Sequence, residues 1–195
     1  PALKEMLQNE SAIARLHALW TLDGLAATTP EVVKLALKDK DAQVRAAAVR
    51  LAPRDLAPEL IAMSDDKDAL VLSHLGIKLT TLNLPDADAA VVKILASNGK
   101  KALVREGAFT GMRGREAAFA KRLDTQLTKE NGAQILPVIE SLGTLLAAAN
   151  KAGPYEEMLD LAAAQPPADA MQVAAIKGLA TSGDTNSKSP TKHAW

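Results

Sequence analysis

The stretch DKDAQVRAAAVR, residues 39–50, decides the fold class of this chain. An acidic turn leads into a run of alanine, valine and arginine. The apolar positions Val44, Ala48 and Leu51 recur there at intervals of three and four residues, which is the spacing of one face of an α-helix. Asp41 stands directly before the run, where an aspartate caps the first turn of a helix. The stretch therefore predicts a turn followed by a capped helix.

The same pattern extends along the whole chain. Pro and Gly separate stretches of about 8 to 18 residues that are rich in the helix formers Ala, Leu, Lys, Glu and Arg. Runs that alternate apolar and polar residues, as β-strands do, are absent from the sequence. The sequence therefore predicts an all-α protein.

The helices also repeat, because five segments align at a spacing of about 30 residues or twice that. They are residues 14–19, 44–49, 72–77, 104–109 and 171–176. The fifth position of each segment is small: Ala18, Ala48, Gly76, Ala108 and Ala175. The sixth position is large and apolar, and we expect it to fill the groove of a neighbouring helix: Leu19, Val49, Ile77, Phe109 and Ile176. A sixth, irregular copy is expected in residues 132–149, with Ser141 as the small residue, Leu142 as the large one and Pro137 as a kink.

A shorter helix is expected before each of these segments, at residues 2–7, 30–38, 56–63, 87–97, 116–127 and 155–164. A helix pair cannot bury its apolar stripe alone, so it stacks on a copy of itself. The sequence therefore predicts about twelve helices in six pairs that form an α-solenoid over residues 1–180, followed by a polar linker or tail over 181–195.

Composition limits the functions open to the chain. It has 195 residues, no cysteine, and 23 Lys and Arg against 23 Asp and Glu. The missing cysteines exclude disulfides, thiolate zinc sites and covalent haem attachment. Zero net charge argues against sequence-independent binding of nucleic acid. No apolar run approaches the roughly 18 residues that span a bilayer, so we expect no membrane insertion. Since the sequence opens on Pro1, we expect a piece of a longer protein.

The phrase DKDAQVRAAA, residues 39–48, within a column of paired helices resembles the HEAT-like repeats, and the short unit resembles the PBS-lyase type of these repeats. In that family a loop acid and an arginine of the second helix form a ladder between successive units. By this resemblance, the ladder would comprise Asp39 or Asp41 with Arg15, Arg45 and Arg105. The third and last segments depart from the pattern, because they carry Ser73 and Gln172 where the others carry arginine.

A narrower resemblance lies in ARLHALWTLDGL, residues 14–25, followed by Thr29-Pro30-Glu31 and the DxDxxVR phrase. It is similar to the HEAT segment of bacterial membrane-associated or exported dehydrogenases, which join a propeller, a HEAT array and a c-type cytochrome domain. The resemblance implies an exported protein and a place between those two domains. It carries over no catalytic or haem-binding residue.

One position of the repeat is a candidate interaction surface. One residue after the large column, the segments carry Trp20, Arg50, Lys78, Thr110 and Lys177. Together with Leu16, this column could bind an acidic partner or a nucleic-acid backbone. The alternative is that these side chains form a solvent-exposed row without a partner, with Trp20 half-buried at its end. For Trp20 itself we expect a contact with an adjacent domain.

Other candidate sites are not supported by the sequence. His17, His74 and His193 lack metal-ligand spacing and are expected to be structural or exposed. Gly107, Gly111 and Gly114 follow no strand, so close helix packing and a helix end account for them better than a phosphate loop. We therefore predict no catalytic, metal or cofactor site.

The predicted function is that of a non-enzymatic scaffold or protein-interaction segment, whose partners are adjacent domains of a parent chain or another protein. The first alternative is a HEAT-like DNA glycosylase or another nucleic-acid-binding solenoid, which would want a basic, aromatic inner face. The aromatic content of 3% argues against it. The second alternative is a lyase-type HEAT protein that handles a bilin, but the sequence shows no reactive cleft.

Overall fold

A computed structural model describes residues 2–149 and 152–181. These residues form twelve α-helices and no strand, so the all-α prediction is confirmed for the described part of the chain. The helices are α1 (Ala2–Met6), α2 (Ala12–Gly24), α3 (Pro30–Leu37), α4 (Ala42–Leu51), α5 (Ala57–Ala62), α6 (Ala69–Leu82), α7 (Pro85–Asn98), α8 (Ala102–Thr110), α9 (Glu116–Asp124), α10 (Gly132–Ala149), α11 (Ala152–Ala163) and α12 (Ala170–Ala180). Most of the predicted tail, with His193, lies outside the described residues.

Capping side chains begin several helices where the sequence places them. The Ser11 hydroxyl accepts a hydrogen bond from the Ala14 N–H at the start of α2. A carboxylate oxygen of Asp41 accepts from the N–H groups of Gln43, at 2.8 Å, and of Val44, at 3.3 Å. These bonds satisfy backbone donors that the first turn leaves free. Asp68 and Asp169 do the same for α6 and α12.

The chain divides into two compact units. Unit 1 comprises the residues up to Ile94 together with Lys101–Met112, and unit 2 comprises Leu95–Lys100 and the residues from Arg113 onward. In unit 1 the second helix of each pair contacts the next one, so that α2 contacts α4, α4 contacts α6 and α6 contacts α8. In unit 2, α12 packs on α10, α11 contacts both of these helices, and α9 contacts α10 and α11.

The small column is buried throughout the five aligned segments, as the sequence predicts. Ala18, Ala48, Ala108 and Ala175 are fully buried, and Gly76 is buried in α6. A Cβ atom added at Gly76 would lie 2.8 Å from the backbone nitrogen of Ala108. Small residues therefore let the backbones of α6 and α8 come into direct contact.

The large column is only partly buried, which corrects the sequence prediction. Leu19 and Val49 are fully buried, but Ile77 is 38% exposed and Ile176 is 49% exposed. Since a helix advances 100° per residue, Ile77 lies on the side of α6 opposite the buried Leu75. Ile176 lies off the face of α12 that packs on α10. The residue after the small position is thus fully buried in α2 and α4 and exposed in α6 and α12.

The irregular copy in α10 also differs from its prediction. Leu142 is fully buried as expected, and Pro137 lies inside the helix. The close approach, however, is made by Gly143 and not by the half-buried Ser141. An added Cβ atom on Gly143 would lie 3.0 Å from the backbone nitrogen of Leu179 in α12. The small position of α10 is therefore one residue later than predicted.

Helix α10 is apolar enough on average to be a candidate membrane span. It has 18 residues with a mean hydropathy of 1.4, so by length and composition alone it could cross a membrane. The sequence shows no uninterrupted apolar run because Gln134 and Glu140 interrupt it, but the average over the helix is high. The buried residues of α10 recur at the spacing of one helix face, which is typical of a core helix: Ile135, Val138, Ile139, Leu142, Gly143 and Leu146.

Gly107 and Gly111 lie where close helix packing leaves no room for a side chain, as predicted. A Cβ atom on Gly107 would collide with the backbone of Ser73, and one on Gly111 would collide with the Thr80 hydroxyl. Gly114 has φ +82°, a conformation that glycine adopts without strain. Gly107 and Gly111 thus belong to helix contacts of unit 1, and Gly114 lies in a turn of unit 2.

We expect Gly107→Ala to lower the free energy of unfolding by about 1–3 kcal/mol, because the added methyl group must push α8 away from α6. The matched control is Gly24→Ala at the end of α2, where an added Cβ atom meets nothing within 4 Å. That change should be neutral or slightly stabilising, since alanine favours helix. Urea unfolding monitored by circular dichroism measures both. Equal effects of the two substitutions would contradict the close α6–α8 contact.

Candidate functional site

An arginine of α2 joins the first two helix pairs. The Arg15 guanidinium donates to both carboxylate oxygens of Asp39, from Nε at 2.7 Å and from Nη2 at 2.6 Å. Its Nη1 donates to the carbonyl oxygens of Asn9 and Glu10, in the turn before α2. Only 5% of the Arg15 side chain and 10% of the Asp39 side chain are exposed. One side chain thus ties its own turn to the turn of the next pair by a bidentate, charge-assisted contact.

Arg45 makes the same contacts one pair later. Its guanidinium donates to both carboxylate oxygens of Asp66, at 2.8 and 3.0 Å. Its Nη1 donates to the carbonyl oxygens of Asp39, at 2.9 Å, and Lys40, at 3.2 Å. Asp39 therefore accepts hydrogen bonds from two arginines. Its side chain accepts from Arg15, and its backbone carbonyl oxygen accepts from Arg45.

The turns that receive these arginines share one local geometry. In each, the side chain of the first residue accepts a hydrogen bond from the N–H of the third, and the third residue caps the following helix. The turns are Asn9–Ser11, Asp39–Asp41 and Asp66–Asp68. A hydrogen bond within each turn thus holds the side chain of its first residue, independently of the arginine.

The structure separates the two acids that the sequence offers as ladder residues. Asp39 contacts Arg15, whereas the Asp41 carboxylate caps α4. The acid that pairs with Arg45 is Asp66, which the sequence analysis does not identify. The signal was present, because the tripeptide Asp-Lys-Asp occurs at both 39–41 and 66–68. Arg105 lies half-buried in α8.

These contacts shift the pKa of both carboxyl groups. Burial of Asp39 opposes its ionisation, but the hydrogen bonds from Arg15 and from the Asp41 N–H outweigh burial and hold its pKa below the usual value. The pKa of Asp66 is lowered in the same way, with burial outweighed by the hydrogen bonds from Arg45 and from the Asp68 N–H. Both acids are therefore ionised in the folded protein at neutral pH.

The predicted surface column converges partly on one face of unit 1. We define the Trp20 face as Leu16, Trp20, Arg50, His74 and Lys78, which lie on α2, α4 and α6. Leu16, Trp20, Arg50 and His74 line one hollow of about 170 Å³ above Ala46. Arg50, His74 and Lys78 line a second hollow of about 460 Å³ together with Ile77. Because Arg50 and His74 line both, the two hollows form one groove.

Trp20 and Arg50 stack on each other in this groove. The guanidinium carbon of Arg50 lies 5.2 Å from the centre of the Trp20 ring, within the range of a cation–π contact. Trp20 and Leu16 are both half-buried. Trp20 is therefore half-buried, as one of the two sequence alternatives expects, and its contact with an adjacent domain stays a prediction.

Lys78 and His74 occupy the next helix along. Lys78 Nζ donates to the carbonyl oxygen of Arg50 at 3.3 Å, and burial lowers the pKa of this lysine. His74 Nδ1 lies 3.1 Å from the carbonyl oxygen of Ala46, to which it donates in the tautomer protonated on Nδ1. Burial lowers the pKa of His74 and outweighs that hydrogen bond. The sequence analysis names His74 only as a structural or exposed residue and misses its place in the groove.

The other two residues of the column lie elsewhere. Thr110 is exposed at the end of α8, and its hydroxyl donates to the Glu106 carbonyl oxygen at 2.8 Å. Lys177 belongs to unit 2, where its Nζ forms an ion pair with Glu140 at 2.9 Å. The Trp20 face is therefore a feature of unit 1.

The charged side chains that line the groove are basic. No carboxylate is among the residues that line either hollow. Within residues 2–149 and 152–181, neither Arg50 nor Lys78 forms an ion pair. The groove thus offers an aromatic ring, aliphatic side chains and two cations without a counter-ion among the described residues.

No group of three or more His, Asp or Glu side chains lies close enough to hold a metal ion within the described residues. The groove contains His74 and Lys78, but no carboxylate that could orient the histidine lines it.

We expect Asp39→Asn to lower the free energy of unfolding at pH 7 by about 1–2 kcal/mol, because Arg15 loses a charged acceptor. Since the folded pKa of Asp39 lies below its unfolded value of about 3.9, its contribution is complete above that pH. It is lost as the pH falls through the folded pKa. The difference between wild type and variant should therefore narrow below about pH 4.

Urea unfolding at pH 7 and at acidic pH measures this difference. Asp160→Asn, at an exposed position of α11, is the control and should change the free energy by less than about 0.5 kcal/mol at either pH. A gap between wild type and Asp39→Asn that stays constant down to pH 3 would contradict the Arg15–Asp39 contact.

Comparison of the chain with models of protein families, with curated protein sequences and with solved structures found no match to any of them.

Proposed function

We propose that this chain is an α-solenoid of HEAT-like helix pairs that works as a non-catalytic scaffold and binds a protein partner through the Trp20 face. The partner would be another domain of a parent chain or a separate protein. The resemblance to the HEAT segment of exported dehydrogenase–cytochrome proteins extends the proposal to a parent oxidoreductase of that kind.

Repetition of the helix contacts supports the solenoid. Within unit 1, α2, α4, α6 and α8 follow one another in contact. The Arg15–Asp39 and Arg45–Asp66 pairs recur between neighbouring turns. Repeat arrays stack in this way because each unit buries its apolar face only against its neighbours. Such arrays offer extended surfaces on which partners bind.

The composition of the groove is the main support for the proposed binding of a partner. A half-buried tryptophan stacked under an arginine is typical of the residues that dominate protein interfaces. Here Trp20 and Arg50 stand beside Lys78, whose charge no carboxylate of the described residues neutralises. Trp20 and Lys78 are half-buried, and Arg50 is exposed. A half-buried tryptophan beside two cations that form no ion pair among the described residues favours a partner over solvation alone.

The nucleic-acid alternative receives less support. A phosphate backbone requires a surface that neutralises many charges, but the chain has equal numbers of basic and acidic residues. The groove contributes one aromatic ring and two cations. Titration with duplex DNA at low salt is nevertheless the direct comparison, and DNA binding that depends on Arg50 would favour this alternative.

The test is selection of peptides from a displayed random library by the full chain. Wild type should retain peptides that the Trp20→Ala variant binds about 30-fold more weakly, which corresponds to about 2 kcal/mol at an aromatic anchor. The matched control is Leu25→Ala, because Leu25 is 64% exposed just after α2 and does not line the groove.

Circular dichroism and the melting temperature of each variant establish that it remains folded. A wild-type chain that retains no peptide would contradict the binding function. Peptides that bind Trp20→Ala as tightly as wild type would contradict the assignment of the Trp20 face.

A further inference from the structure

The groove on the Trp20 face places apolar surface beside positive charge. The hollow above Ala46 is lined by Leu16, Trp20 and Leu70 together with Gln43, Arg50 and His74, and Ala46 itself is buried. The larger hollow is lined by Arg50, His74, Ile77 and Lys78. Each hollow therefore combines apolar and polar side chains, and the cations Arg50 and Lys78 both line the larger one.

We propose that this groove recognises a peptide segment of another protein in which an acidic side chain stands beside an apolar side chain. The carboxylate would bind between Arg50 and Lys78, and the apolar side chain would fill the hollow between Leu16, Trp20 and Ala46. The inference rests on the proposed function and names the chemistry of its partner.

Charge complementarity selects an acidic partner. Arg50 and Lys78 form no ion pair within the described residues, and the lining of both hollows contains no acid. Burial already lowers the pKa of Lys78, which shows that its charge is incompletely solvated. A carboxylate placed beside it supplies the missing counter-charge, and a basic segment would be repelled.

The backbone selects a carboxylate over a phosphate group. Phosphate sites commonly use free N–H groups at the amino end of a helix. Arg50 instead lies in the last turn of α4, next to the negative end of the helix dipole, and His74 and Lys78 lie within α6, where the backbone N–H groups bond inside the helix. A singly charged carboxylate held by side chains fits these surroundings better than a doubly charged phosphate.

The apolar half of the groove provides the anchor. The ring of Trp20 is half-buried and contacts Arg50, so that less of its surface and freedom is lost when a partner binds. Ala46 leaves room between α2 and α6 because it has only a methyl side chain. An aliphatic or aromatic side chain can enter this space and contact both walls.

The experiment uses two displayed libraries of short random peptides, one that encodes all amino acids and one that omits Asp and Glu. The full chain should select binders only from the first library. A synthetic copy of a selected peptide should bind Lys78→Gln at least about tenfold more weakly than wild type, because the variant keeps a polar side chain and loses the charge. Lys4→Gln, at an exposed lysine of α1, is the control and should bind like wild type.

Each outcome has a defined meaning. Binders from the acid-free library that match the others in affinity would overturn this inference and leave the scaffold function intact. Acidic binders that ignore Lys78→Gln would also overturn it, provided that the variant melts like wild type. The absence of binders from both libraries would contradict the proposed function, and this inference with it.

Discussion

In unit 1, arginines that each bond to two successive turns join neighbouring helix pairs. Arg15 and Arg45 each hold the carbonyl groups of their own turn and the carboxylate of the next. These carbonyl groups lie outside the helices, where they would otherwise need water or another donor. Because each guanidinium is planar and binds both oxygens of its aspartate, it fixes orientation as well as distance. The position of α4 relative to α2, and hence of Arg50 over Trp20, follows from this constraint.

Close backbone contact supplies a second constraint where helices approach directly. Gly76 and Gly107 bring α6 against α8 in unit 1, and Gly143 and Gly178 bring α10 against α12 in unit 2. Such contacts have no tolerance for an added methyl group, which distinguishes them from the arginine contacts, where side chains adjust. The two constraints act on different atoms. The arginines align turns at one end of the helices, and the glycines set the separation between helices.

Much of the fold could be predicted from single residues and their spacing. The helices, the caps at Ser11 and Asp41 and the burial of the small column all follow from local pattern, because each depends on a few neighbouring residues. The sequence analysis does not place the partner of Arg45, although the tripeptide Asp-Lys-Asp recurs at 66–68, because the alignment compares helices and not the turns between them. The exposure of Ile77 and Ile176, and the meeting of His74 with Arg50, depend on packing between helices that lie far apart in the sequence. A local pattern does not specify such contacts.

The arginine contacts couple neighbouring helix pairs energetically, and a double-mutant cycle measures this coupling. The free energy of unfolding is measured for wild type, Arg45→Gln, Asp66→Asn and the combined variant. The account predicts a coupling energy of at least about 0.5 kcal/mol, because the two side chains share their hydrogen bonds. A parallel cycle with Arg45→Gln and Asp160→Asn, at an exposed position of α11, should be additive within about 0.3–0.5 kcal/mol. Additive effects of Arg45→Gln and Asp66→Asn would contradict the claim.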